Sequence, residues 1–175
     1  DAPTPAGDQV TVTLYRKTGL FKTITAQLDE HGVAIIDDLP LDPIMQPNVV
    51  IHHAGVDYEV LAKVMGALLP QQTVEVAVYE TTPDKPDWRF QMRHVILTRI
   101  ENDYHVKESI TVGSPTDRTW IPPVNKGQEH TVSMVLSLPT GASHVQPMQG
   151  FMEDRTKVEK GQVISTAPIH GGQSR

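Results

Sequence analysis

Between Gln9 and Tyr15 apolar side chains take every second position, Val10, Val12 and Leu14, and polar or hydroxyl groups take most of the others. Successive side chains of a strand point to opposite faces, so this spacing predicts a β-strand with one buried face. The same period returns at Ile24, Ala26 and Leu28, opposed by Thr23, Thr25 and Gln27. Each run is short and ends in turn chemistry. Asp29-Glu30-His31-Gly32 puts a glycine where positive φ is needed, and the apolar residues 33–36 then stop at Asp37-Asp38-Leu39-Pro40. A chain of short strands and turns is constrained to bury its apolar faces between layered sheets.

The pattern continues along the chain. Residues 48–51 and 58–62 read as a hairpin about a turn containing Gly55, and residues 63–69 have brief helical character limited by Gly66 and Pro70. Residues 73–80 alternate again, with Val74, Val76 and Val78 on one face, as the closing strand of a first sandwich. Pro83-Asp84-Lys85-Pro86-Asp87 carries two prolines and no large apolar side chain, which predicts a linker. Beyond it strands are expected at 88–100, 104–112, 118–121 and 129–138, with a hairpin turn at Asn102-Asp103 and a loop at 122–127. The expected architecture is all-β, two tandem Ig-like or transthyretin-like antiparallel sandwiches: residues 1–82, a linker at 83–87, and 88–175 ending in an irregular tail.

Composition narrows the chemistry. A net charge of −6 with dispersed Lys and Arg leaves no basic face for nucleic acid. The absence of cysteine removes disulfides, thiol catalysis, thiolate metal sites and the C-x-x-C-H attachment of c-type haem to this chain. No apolar run approaches the roughly 18 residues that span a bilayer. The start Asp1-Ala2-Pro3-Thr4-Pro5-Ala6 is expected to be a processed end of an exported chain.

No catalytic, cofactor or metal residues are assigned. His52 and His53 are adjacent on an expected strand and point to opposite faces, so they chelate one ion only if the strand breaks between them. One partly buried and one solvated imidazole is the expectation. His94 and His105 flank the Asn102 turn and could face one another across a hairpin, though further ligands are lacking nearby and cross-strand packing is expected instead. Asp37-Asp38 and Asp29-Glu30 are turn acids without calcium-loop spacing. Ser137, Ser143 and Ser165 lack a nucleophile elbow, an S-x-x-K pattern or an assignable His-plus-acid arrangement. Gly171-Gly172 reads as a flexible end rather than a phosphate loop, and Trp88 and Trp120 as second-module core, with an interface patch as the alternative.

The run Leu28-Asp29-Glu30-His31-Gly32-Val33 followed by Asp38-Leu39-Pro40 resembles the T-D-x-x-G-x-x-x-F-x-x-L-P signature of carboxypeptidase regulatory-like, transthyretin-like sandwiches, with Leu28 in place of Thr and Ile36 in place of Phe. With Val78-Tyr79-Glu80-Thr81-Thr82, Arg93-His94-Val95-Ile96-Leu97, Val106-Lys107-Glu108-Ser109 and Leu136-Ser137-Leu138-Pro139-Thr140-Gly141-Ala142, the chain resembles bacterial exported proteins with tandem domains of this kind over about residues 8–170. The resemblance implies a non-catalytic, periplasmic or extracellular accessory or scaffold subunit with no cofactor of its own. The implied partners are proteins of a larger membrane-associated or periplasmic complex, a c-type cytochrome of an electron-transfer assembly among them. Membrane contact is expected to be indirect or through an anchor beyond Arg175. Two other readings stand beside it: a carbohydrate or cell-wall binding module with Trp88, Trp120 and tyrosines as platform, and a metal-dependent enzyme built from His94, His105 and loop acids.

Overall fold

The computed structural model describes residues 6–16, 19–40, 42, 45–124, 131–148 and 150–172. The expected processed end at residues 1–5, residues 125–127 of the expected loop, and residues 129–130 of the strand after it lie outside the described residues. Among the described residues the chain is all-β, with mostly antiparallel pairing and a single 3-10 turn at Glu153–Arg155 in place of any α-helix. No helix there is long and apolar enough to cross a membrane. The chain divides into two compact units, Asp1–Glu80 and Thr81–Arg175. Residues 83–87, expected as a linker, therefore lie within the second unit.

The first unit is built on a four-stranded antiparallel sheet. In sequence order its strands are β1 (Gln9–Arg16), β2 (Gly19–Gln27), β3 (Pro47–His53) and β4 (Val56–Leu61), and in space they run β2-β1-β3-β4. The alternation in β1 is realised: Val10, Val12 and Leu14 are buried, and register pairs Val10 with Ala26 and Ile51, and Val12 with Ile24 and Val49. The inner face is covered by residues 33–39 and 74–78, whose Ala34, Ile36, Leu39, Val76 and Val78 pack on Val10, Val12, Leu28 and Ile51.

These two covering segments correct the sequence expectation. Burial alternates along both, yet neither belongs to a strand ladder among the described residues. Alternate burial requires only an extended chain lying on an apolar face; a ladder also needs backbone partners alongside. The expected helical character at 63–69 is likewise absent. Gly66 and Leu69 form an isolated bridge around a tight turn, consistent with a glycine and a following proline breaking the first helical hydrogen bonds.

Among its described residues the second unit holds three separate sheets. β5 (Thr81–Thr82) pairs in parallel with β8 (Thr119–Trp120). β6 (Arg89–Ile100) and β7 (Asp103–Gly113) form a long two-stranded hairpin, turning at Glu101, which takes positive φ. β9 (Met134–Ser137), β10 (Thr156–Glu159) and β11 (Gln162–Ser165) form a sheet of order β10-β11-β9. Trp120 of β8, 5% exposed, bridges to Ile169 through paired backbone bonds of 2.8 and 3.0 Å. The Trp120 indole N–H donates to the Pro83 carbonyl at 3.1 Å, and this contact holds residues 83–87 to the unit.

Gly171 corrects a second expectation. It is buried, and a β-carbon there would come within 2.7–2.8 Å of the Arg118 backbone, so the position belongs to a close backbone crossing and not to a flexible end.

Candidate functional site

The turn between β3 and β4 is formed by Ala54 and Gly55, both at positive φ, a pair suited to the twist of a two-residue hairpin. His52 and His53 therefore remain within the strand and face opposite sides, as the sequence indicates. Each finds a carboxylate. On the outer face the His52 Nδ1 donates to Asp57 Oδ1 at 2.5 Å, and the Thr11 hydroxyl lies 3.2 Å from its Nε2. On the inner face His53 is 6% exposed, donates from Nδ1 to Asp8 Oδ2 at 2.5 Å, and brings Nε2 to 3.4 Å from Glu80 Oε1.

These two clusters were not legible in the sequence. Asp8 and Glu80 stand far from His53 along the chain, and Thr11 meets His52 only through the register pairing Gln9 with His52. Neither cluster gathers ligands for one ion. The two carboxylates of His53 occupy opposite sides of the ring, and no group of three or more His, Cys, Asp or Glu among the described residues could hold a metal. Thr11, His52 and Asp57 stand in the order of nucleophile, base and orienting acid. They sit on an open face of the sheet, and β1 is laddered on both sides, so its backbone N–H groups are committed to neighbouring strands and cannot line an oxyanion hole. What the network supplies here is a cross-strand tie among β1, β3 and β4.

The other singled-out residues are dispersed. His94 registers with Ser109 and His105 with Thr98, so the two imidazoles stand four ladder positions apart, about 13 Å along the hairpin. They share a face but do not meet, a correction to the expectation that they could. Asp29 accepts from the backbone N–H groups of Val33 and His31, each at 2.9 Å, and those bonds hold its carboxyl below the ordinary range. Asp37 and Asp38 are exposed, with Asp38 at positive φ. The Ser165 hydroxyl is buried and accepts from Ala167 N, Ser143 lies beside His144, and Ser137 is exposed on β9. Trp88 is half-buried and packs edge-on against Phe90 with ring centroids 5.7 Å apart.

The β6–β7 hairpin presents an exposed surface with no assigned role. From Arg89 through Glu108 every residue is exposed, including Phe90, Met92, Val95, Ile96, Leu97, Ile100, Tyr104 and Val106. Register places Val95, Leu97, Tyr104 and Val106 on one face and Met92, Ile96 and Ile100 on the other. Its charge is uneven: β6 carries Arg89, Arg93 and Arg99 and no acid, and among the described residues only Arg93 of these is ion-paired, with Glu108. At its base, Phe90, Arg93 and Ile110 face Val135, Leu136 and Ser137 of β9 across a groove of about 200 Å³. Comparison with protein-family models, with curated proteins and with solved structures gives no match.

Proposed function

We propose that the protein is a non-catalytic accessory or scaffold subunit, located in the periplasm or outside the cell, that docks on a larger membrane-associated or periplasmic complex. The observation that carries this reading is the β6–β7 hairpin. A two-stranded hairpin is marginally stable alone in water, and one with apolar side chains on both faces gains most by being covered on both. Exposed strand edges are natural sites for adding a partner's strand. The resemblance to exported tandem-sandwich proteins supports an electron-transfer assembly containing a c-type cytochrome as that complex. The alternative of a carbohydrate platform is weakened by Trp120, which is enclosed at 5% exposure.

Gentle detergent extraction followed by size separation tests the reading. The protein is expected to migrate with other chains in a large particle, and an Ile96→Lys, Leu97→Lys variant to be released from it. Recovery solely as a single free chain under those conditions contradicts it.

A further inference from the structure

We propose that the outer edge of β6, residues 92–100, is a docking edge for an extended acidic strand of a partner protein. The inference rests on the docking reading above and adds which edge is used and what chemistry it selects.

Three observations carry it. First, β7 is the only ladder partner of β6 among the described residues, so the backbone groups on the other side of a 12-residue strand have no strand beside them. The register shift between Phe90 and Met92 marks a bulge, and it leaves residues 92–100 as the regular part of that edge. Second, apolar side chains line both faces of this stretch: Val95 and Leu97 on one, Met92, Ile96 and Ile100 on the other. A strand laid alongside would extend both apolar surfaces at once. Third, Arg93 and Arg99 bracket Val95 and Leu97 on a single face, about 20 Å apart. Arg93 is engaged by Glu108, whereas among the described residues Arg99 donates to the Glu101 carbonyl in the turn and has no carboxylate partner.

Cross-strand pairs on one face meet closely, and like charges directly opposite are destabilising. The complementary strand therefore carries one acid opposite Arg99 and a second opposite Arg93, with apolar residues between them. A second copy of the chain fits this less well. Pairing β6 with β6 about a two-fold axis brings two sets of arginines to one seam with no acid on either strand. Pairing β6 with another copy's β7 matches charge but is head-to-tail, so it adds chains without closing.

The test uses the full chain and a nine-residue peptide of valine, isoleucine and threonine with glutamate at its second and eighth positions. Titration with amide hydrogen exchange is expected to show saturable binding and slowed exchange over residues 92–100. Arg99→Glu should weaken binding on the order of tenfold, Arg99→Gln by less, and replacing the glutamate opposite position 99 with lysine should restore binding to Arg99→Glu. Equal binding of a lysine-substituted peptide to the unaltered chain overturns the proposal, as does slowed exchange confined to β7 or to the β9 groove. A concentration-dependent dimer protected over residues 92–100 overturns it in favour of a second copy. Failure of the acidic peptide to bind a chain that is retained in a native assembly overturns the edge preference alone. Binding with these signatures by a chain found only free in gentle extracts supports the edge preference and overturns the docking reading instead.

Discussion

His53 lies where three segments of the first unit meet: the start of β1 through Asp8, the end of β3, and Glu80 at the close of the covering segment. Nearby, the Tyr58 hydroxyl donates to the Tyr79 carbonyl at 2.6 Å, and together these contacts pin the end of that segment to the sheet. Replacing His53 with Ala leaves a cavity and a half-buried carboxylate without its donor. Loss of about 2–3 kcal/mol is expected from urea denaturation, against a change within about 0.5 kcal/mol for an exposed control such as Thr25→Ala. Asp29 gives a pH-dependent counterpart. Its folded-state value is depressed by the Val33 and His31 backbone bonds, so its contribution is complete above the ordinary 3.8 and is lost as pH falls through the lowered value. The stability gap between the unaltered protein and Asp29→Ala should narrow on acidification below that point; a constant gap would show that the turn is held by other contacts. At Gly171, substitution by Ala forces the Arg118 backbone aside and should cost about 1–3 kcal/mol, read from thermal unfolding of the second unit.

At the scale of elements, alternation of apolar and polar residues encodes which face is covered and leaves the backbone partner unspecified. That is why β1 and the Ala54-Gly55 hairpin were legible from residues alone, while residues 33–36 and 74–78 proved extended and half-buried without a ladder. The β6–β7 hairpin shows the same limit from the other side. Val95, Ile96, Leu97 and Val106 have the composition of a core strand, and nothing in that composition says whether the cover comes from this chain. The two histidine networks were hidden for a further reason: Thr11 and Asp57 reach His52 through strand register, and Glu80 reaches His53 from a segment outside the ladders. Because the hairpin's apolar side chains are exposed in the chain by itself, Leu97→Lys should leave the unfolding free energy within about 0.5 kcal/mol, as measured by denaturant titration. A loss of several kcal/mol would mean that the hairpin packs within the folded chain.

At the scale of the molecule, each of the two units carries a different kind of surface. The first buries Val10, Val12, Leu28 and Ile51 between a four-stranded sheet and two extended segments, ties Thr11, His52 and Asp57 across its outer face, and exposes apolar side chains singly, Leu20, Ile35 and Leu68 among them. The second fastens itself around Trp120 and leaves its longest strands uncovered. Docking as proposed assigns contacts with other chains to the β6–β7 hairpin and predicts that they concentrate there. The most direct measurement is site-specific photocrosslinking in the cells that make the protein, with the reactive group placed at Leu97 and, as a control, at Thr25 on the exposed face of β2. Adducts to another protein at Leu97 and none at Thr25 are predicted; adducts at Thr25 alone, or at neither position, would contradict the account.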